Sequence, residues 1–214
     1  MSKRIVFVSQ SGNVMKSTLA TAMAVEATIN DLDCAIADLD IEHRTSSQLS
    51  EQRSSLGITP TLKVYGVSSA KQAIDCFNDE ALQIIDAPSR ATSATTVISK
   101  NADLIIQPVP PSKKDMDLAI ESFYKLSDAG IDVNKMLFVF TRVGSQAELK
   151  SAINYLSQVQ INNQKINILT SAIWEKVAYR GAINDGYLIT ETQYATLNGN
   201  AKAVIHQILT LLLK

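Results

Sequence analysis

Short apolar segments alternate along the chain with longer segments in which apolar residues recur at helical spacing. The short segments are rich in β-branched residues and are bounded by polar turns, which predicts buried strands. We expect strands at Ile5–Ser9, Cys34–Asp38, Leu62–Val67, Leu82–Asp86, Leu104–Val109, Met136–Thr141 and Ile166–Leu169. The helical spacing predicts helices at Lys16–Ile29, Ala70–Phe77, Ala91–Lys100, Asp115–Ala129, Gln146–Val159, Val177–Asp185 and Leu197–Leu213.

This alternation predicts an α/β fold with three layers, in which a mostly parallel, twisted sheet carries helices on both faces. The strand segments are apolar throughout rather than alternately apolar and polar, as expected when both faces of a sheet are covered. Right-handed crossovers bring the carboxyl ends of parallel strands to one edge, where ligands usually bind. The polar segment Glu42–Pro60 has no clear period and could form two short helices or a mobile loop.

Composition narrows the class of protein. The chain has 214 residues, with 20 basic and 21 acidic side chains and a formal charge of −1, and we expect a single domain over residues 1–214. This balance excludes a generally basic nucleic-acid-binding surface and leaves room for a local basic patch. Cys34 and Cys76 form no disulfide framework, no segment has signal-peptide form, and no apolar run is long enough to span a membrane. We therefore expect a cytoplasmic protein.

The loop after the first strand has features of a phosphate-binding loop. Lys16, Ser17 and Thr18 open a helix directly after a tight loop that contains Gly12. Backbone N–H groups and the helix dipole attract phosphates there, the lysine adds a positive charge, and the serine hydroxyl binds Mg²⁺. The pattern G-x-x-x-x-G-K-[ST] is nevertheless incomplete, because Gln10 and Met15 occupy its glycine positions. An ordinary helix start without a ligand therefore stays open as an alternative.

Carboxylates follow two other predicted strands. Asp38 and Asp40 bracket the end of the second strand, and their spacing of two places both side chains on one face. One of them could belong to a Mg²⁺ shell and the other could orient a water molecule. Asp86 ends the apolar run from Leu82 and precedes Pro88, which is the form of a Walker B strand whose aspartate acts on Mg²⁺ through water. Each aspartate alone could simply begin a turn.

The order of the three motifs at one sheet edge resembles the ParA/MinD branch of P-loop ATPases with a deviant Walker A loop. Ala102–Pro108 and Phe138–Arg142 resemble two strands of that family. Ala178–Gly186, together with Thr190 and Glu191, resembles a late segment of the short plasmid-partition ParA proteins. The resemblance covers about residues 4–210.

This sequence departs from the family pattern at several positions. The signature lysine of the family falls on Ser11, and two family glycines fall on Asn13 and Met15. Asparagine can adopt a positive φ at modest cost, whereas the Met15 side chain must find room beside the phosphates or displace the loop. After Asp40 the family usually has Pro-Gln, and this chain has Ile41–Arg44 instead.

The resemblance implies an ATPase that uses ATP and Mg²⁺ and segregates DNA as a nucleotide-dependent homodimer. It implies non-specific DNA binding, a centromere-binding partner protein and association with the nucleoid. Lys16 would hold the β- and γ-phosphates, Asp40 would lie nearest the attacking water, and Ser17, Asp38 and Asp86 would serve the metal. The nucleotide-binding residues implied are Gly12, Asn13, Val14, Met15, Lys16, Ser17, Thr18, Thr141 and Arg142.

Two other functions stay open. Loss of the loop glycines and of the signature lysine is compatible with a catalytically weak or nucleotide-free adaptor in plasmid maintenance or conjugative transfer. MinD-like positioning on a membrane would need a basic amphipathic tail, and we expect the last helix to dock on the sheet instead. We expect His43 to be a solvated loop residue and Trp174 to serve packing. Lys113, Lys114, Lys176 and Arg180 could form a DNA-facing patch or an ordinary solvated surface.

Overall fold

The computed structural model describes residues 2–90 and 92–213. The strands are β1 (Lys3–Phe7), β2 (Cys34–Asp38), β3 (Val64–Gly66), β4 (Leu82–Asp86), β5 (Leu104–Val109), β6 (Met136–Val143), β7 (Gln160–Ile161), β8 (Gln164–Lys165) and β9 (Asn167–Trp174). The α-helices are α1 (Lys16–Ile29), α2 (Thr45–Ser55), α3 (Ala70–Asp75), α4 (Ser93–Lys100), α5 (Lys113–Asp128), α6 (Gln146–Ser157), α7 (Val177–Asn184) and α8 (Ala195–Leu212). A short 3₁₀ helix, Val133–Lys135, precedes β6.

Among the described residues, seven strands form one parallel sheet in the order β3-β2-β4-β1-β5-β6-β9. Residues of α1, α2, α7 and α8 join the core cluster on one face, and residues of α3, α4, α5 and α6 join the cluster on the other. Along β1, Ile5 and Phe7 belong to the first cluster, and Val6 belongs to the second. The uninterrupted apolar strands therefore have both faces covered, and the predicted three-layer α/β fold is confirmed.

The register of the sheet brings the ends of three strands side by side. Asp86 at the end of β4 pairs with Phe7 of β1 on one side and with Asp38 of β2 on the other. Since alternate residues of a strand share a face, Asp38 lies on the side of Ile36, and Asp86 lies on the side of Ile84. Both carboxylates therefore emerge on the face that α1 covers, directly below the loop that follows β1.

The segment 42–60 forms neither a mobile loop nor two helices, because it contains the single helix α2. This helix has 11 residues and only one apolar residue, Leu49, so it lacks the apolar stripe by which helices are recognised. The hairpin of β7 and β8 was not predicted. The last strand is longer than expected and runs to Trp174. The expected helix start at Ala91 lies outside the described residues, and α4 begins at Ser93.

The last helix docks on the sheet as predicted. Ala201, Val204, Ile205, Ile208 and Leu212 of α8 are buried in the core cluster that α1 shares. Within residues 2–90 and 92–213, no helix is both long and apolar enough to cross a membrane.

Candidate nucleotide-binding site

The loop between β1 and α1 has left-handed backbone at two positions where the family pattern has glycine. Asn13 and Met15 have φ angles of 63° and 65°, in the left-handed region that favours glycine. Asparagine enters this region more easily than other residues, whereas methionine pays a steric cost of about 1–2 kcal/mol. The sequence has thus lost two glycines while the fold retains the shape that they would permit.

The Met15 side chain packs on the core side of the loop. It is half-buried and packs against the core cluster below α1, while the residue also borders the cavity described below. Burial of this side chain offsets part of the cost of the left-handed backbone. In the nucleotide-free structure the Met15 side chain therefore has room on the core side of the loop, and that it also leaves room for the phosphates stays a prediction.

The amino terminus of α1 is free to receive an anion. Met15 is the N-cap residue and makes no side-chain cap, and the first turn carries no acidic residue. The first N–H groups of a helix have no partner within the helix and carry a partial positive charge. A phosphate group can take the place that a capping side chain usually fills.

Lys16 and Asp86 form a buried ion pair at the base of the loop. The Lys16 ammonium contacts Oδ1 of Asp86, and the two side chains are 5% and 0% exposed. The hydroxyl of Ser46 donates to the other oxygen of Asp86, Oδ2, at 2.8 Å. Without a nucleotide, the lysine expected to hold phosphates therefore neutralises the carboxylate expected to act on Mg²⁺.

The Asp38 carboxylate is held by Ser47, the residue that follows Ser46 in α2. Its Oδ2 accepts hydrogen bonds from the backbone N–H of Ser47 at 2.9 Å and from the Ser47 hydroxyl at 2.8 Å. Burial raises the pKa of Asp38 above its usual value, and the hydrogen bonds from Ser47 offset only part of that rise. Asp38 lies beside Asp86, whose negative charge also raises this pKa.

Asp40 is held by the loop that follows it. Its Oδ1 accepts a hydrogen bond from the backbone N–H of His43 at 3.0 Å and lies 3.1 Å from Nδ1 of the His43 ring. The Ser89 hydroxyl donates to Oδ2 at 2.9 Å. Burial raises the pKa of Asp40, but these hydrogen bonds together outweigh burial and leave the pKa below its usual value. Asp40 is therefore suited to remain a carboxylate, which can accept a proton or orient a water molecule.

Thr141 and Arg142, at the end of β6, hold the loop from the side. The Thr141 hydroxyl is buried and donates to the carbonyl of Val14 at 3.1 Å. Arg142 donates to the carbonyl of Asn13 at 3.2 Å and pairs with Glu175 at 2.8 Å. Thr141 and Arg142, which are among the residues that we expected to bind the nucleotide, therefore contact the loop. Of these two residues, only Arg142 borders the cavity.

A cavity of about 540 Å³ lies above the loop. Gly12, Asn13, Val14, Met15, Lys16, Ser17 and Thr18 border it, as does Arg142. The opposite wall comes from a part of the chain where we expected packing at Trp174 and either a DNA-facing patch or a solvated surface at Lys176 and Arg180. Its residues are Trp174, Glu175, Lys176, Tyr179, Arg180 and Ile183. The only sequence signal for this wall was the late-segment resemblance, which did not assign these residues to the cavity.

The residues present fit a magnesium nucleotide. The described residues contain no group of three or more His, Cys, Asp or Glu side chains that could hold a metal ion by itself. Mg²⁺ in nucleotide sites is commonly bound by one or two protein oxygens together with phosphates and water. The uncapped α1 terminus and the buried Lys16 are suited to hold the phosphates, and the hydroxyl of Ser17 supplies a protein oxygen for the metal.

Several solved structures share this fold. MinD from Pyrococcus horikoshii, in complex with Mg-ADP, aligns with a TM-score of 0.74 and 14% identity over 98% of this chain and 96% of that chain. A putative plasmid partition protein from Borrelia burgdorferi, bound to AMPPNP, aligns with a TM-score of 0.70 and 13% identity over 97% and 100%. McdA from Cyanothece, in a complex with ATP, aligns with a TM-score of 0.69 and 16% identity over 97% and 96%.

The nucleotides in these structures agree with the prediction of ATP and Mg²⁺ as ligands. No curated protein matches the sequence significantly. Residues 5–188, from β1 to the segment after α7, match the model of the CobQ/CobB/MinD/ParA nucleotide-binding domain. The chain belongs to this family, as a P-loop ATPase of the ParA/MinD type.

Proposed function

We propose that this protein is a ParA-like ATPase that acts in DNA segregation, in the cytoplasm, as a nucleotide-dependent homodimer. The observation that carries the proposal is the loop of residues 9–15, which keeps left-handed backbone at Asn13 and Met15 although both glycines are lost. Left-handed residues in a loop can turn successive backbone N–H groups toward an anion, and a bound phosphate would offset the steric cost that remains.

The site residues have distinct proposed roles. Lys16 would hold the β- and γ-phosphates, Ser17 would offer its hydroxyl to Mg²⁺, and Asp86 would serve the metal through water. Asp38 contributes to the same shell, and Asp40 orients the water that attacks the γ-phosphate. Bound Mg²⁺ supplies neutralisation of the charge that develops on the transferring phosphoryl group.

DNA binding can be tested separately from nucleotide binding. ATP closes the proposed dimer, which binds DNA without sequence preference until a centromere-binding partner stimulates hydrolysis. Non-specific contacts to phosphates release counterions, so raising salt from about 50 to about 200 mM should weaken the complex severalfold or more.

The test is an electrophoretic shift of a duplex of arbitrary sequence with ATP, with ADP and with a non-hydrolysable ATP analogue. We expect a salt-sensitive shift with ATP and with the analogue, and a weaker shift with ADP. Absence of a shift at low salt with both triphosphates would rule out direct DNA binding and leave the family assignment untouched.

A second candidate function is a catalytically weak adaptor of the same fold. Ser11 stands in the place of the signature lysine, so each bound triphosphate would receive one positive charge fewer from the partner subunit. Charges on a transferring phosphoryl group are worth several kcal/mol. Repair of the loop with Ser11→Lys, Asn13→Gly and Met15→Gly should raise the ATPase rate and the dimer fraction. No gain in either would show that these positions do not limit the chemistry.

A further inference from the structure

Two serines of α2 hold the two carboxylates that lie side by side at the sheet edge. Ser46 donates to Asp86 at 2.8 Å, and Ser47 donates twice to Asp38 through its backbone N–H and its hydroxyl. Both serines come from the polar segment to which the sequence patterns assigned no function. Consecutive residues at the start of one helix thus reach the ends of two neighbouring strands.

The contact between Ser46 and Asp86 is dry. Ser46 and Asp86 are both fully buried in the nucleotide-free structure, so solvent does not compete for this hydrogen bond there. Asp86 has one partner on each oxygen, namely Lys16 on Oδ1 and Ser46 on Oδ2. Once Lys16 turns to the phosphates, Ser46 is the side chain that still fixes the orientation of this carboxylate.

We propose that Ser46 is a positioning residue that orients Asp86 toward the magnesium shell, with Ser47 serving Asp38 in the same way. The inference rests on the proposed function, since it concerns the metal that accompanies ATP. Groups that hydrogen-bond metal-directed carboxylates fix their orientation, and their loss typically lowers metal affinity by about 10- to 100-fold. The helix α2 is then a part of the metal site rather than a connector.

The helix itself provides a matched control. Ser50 lies one turn after Ser46 and donates its hydroxyl to the carbonyl of Leu62 at 2.7 Å. Ser50→Ala therefore removes a hydroxyl hydrogen bond from the same helix without touching Asp38 or Asp86. Ser47→Ala is an intermediate case, because the backbone N–H of residue 47 remains to hold Asp38.

The first measurement is the Mg²⁺ concentration that half-saturates the binding of a fluorescent ATP analogue, with EDTA as the metal-free reference. We expect Ser46→Ala to raise this concentration about tenfold, Ser47→Ala to raise it less, and Ser50→Ala to leave it unchanged. Affinity in EDTA should be the same for all of them. Ser46→Thr, which keeps the hydroxyl, should restore the wild-type value.

The second measurement needs no nucleotide. A double-mutant cycle compares the unfolding equilibrium constants of the wild type, Ser46→Ala, Asp86→Asn and the double variant. We expect the combined effect to depart about tenfold from the product of the two single effects. The same cycle with Ser50→Ala should be additive. If Asp86→Asn does not fold, the Mg²⁺ titration with the Thr rescue decides alone.

The outcomes separate the two proposals. A wild type that binds no magnesium nucleotide refutes the proposed function, and it refutes this role of Ser46 as well. A wild type that binds normally, with equal Mg²⁺ dependence in Ser46→Ala and Ser50→Ala, refutes the positioning role alone. Coupling in the unfolding cycle without any change in Mg²⁺ dependence also refutes it, because Ser46 would then only stabilise the fold.

Discussion

At the scale of single residues, the site contains residues in a backbone conformation or an environment that their chemistry disfavours. Met15 holds a left-handed backbone, and Asp86 is a fully buried carboxylate. Each cost is offset locally, since Met15 packs on the core and Asp86 pairs with Lys16 and Ser46. Such local strain is concentrated at functional sites, and it can be measured by substitution.

The strain at Met15 predicts an unusual order of stabilities. Met15→Ala and Met15→Gly lose the same packing of the side chain, but only glycine relieves the left-handed backbone. We expect the glycine variant to be more stable than the alanine variant by about 1 kcal/mol in urea unfolding. An alanine variant as stable as the glycine variant would show that φ at residue 15 is not positive in solution.

The contacts of Glu80, which lies outside the nucleotide site, predict that the free energy of unfolding depends on pH. Burial raises the pKa of this carboxylate, but hydrogen bonds from Lys63, Tyr65 and the backbone of Asn78 outweigh burial and lower the pKa to about 2. A carboxylate with a depressed pKa in the folded state stabilises the protein above its unfolded pKa. That stability is lost as the pH falls through the folded pKa.

Glu80→Gln should therefore flatten the loss of unfolding free energy between about pH 4.5 and about pH 2. The measurement is urea unfolding of wild type and variant across this window. Glu121, in an exposed pair with Lys125 at 2.7 Å, provides the control, because Glu121→Gln should change little. Equal pH profiles for Glu80→Gln and the wild type would contradict the assignment.

At the scale of elements, α2 connects the site to the late part of the chain. Its first turn reaches the carboxylates through Ser46 and Ser47, and its last turn carries Arg53, which is fully buried. Arg53 makes two hydrogen bonds to Glu191, at 2.6 and 3.1 Å, and donates to the carbonyls of Pro60 and Gly186. Both ends of the helix are therefore fixed by charged contacts.

Replacing only one member of the Arg53–Glu191 ion pair should lower the free energy of unfolding strongly. Glu191→Gln leaves a buried guanidinium without its counter-charge, which typically costs about 3–5 kcal/mol. Arg53→Met combined with Glu191→Met should cost clearly less than the sum of the single changes, because no charge is left unpaired. Additive losses in urea unfolding would mean that the two side chains do not pair in solution.

The elements also show which parts of the structure a sequence pattern can predict. The sheet strands were predicted because they are apolar on both faces, and β4 appears at the expected bounds Leu82–Asp86. The helix α2 could not be identified, because Leu49 is its single apolar residue. Its stability comes from contacts such as Ser46 to Asp86, 40 residues apart, and Arg53 to Glu191, 138 residues apart. Contacts of that separation leave no local signal.

At the scale of the whole molecule, the site combines residues from early and late parts of the sequence. The loop after β1 and the ends of β2 and β4 were predicted from motifs, because parallel strands must bring these ends together. The wall formed by Trp174, Lys176 and Arg180 was not predicted, since β9 lies four strands away from β4 in the sheet. Its approach to the loop depends on the position of α7, which no motif specifies.

The central claim is that the loop between β1 and α1 binds a magnesium nucleotide through Lys16, and calorimetric titration with Mg²⁺-ATP tests it most directly. Lys16→Gln removes the charge while leaving a donor for Asp86, and its thermal unfolding should first show that it folds. Lys135→Gln, at a lysine that bonds the carbonyl of Ala102, is the control. We predict saturable binding in the wild type and the control, weakened about tenfold or more in Lys16→Gln. Absence of binding in the wild type, or equal binding in Lys16→Gln, would contradict the claim.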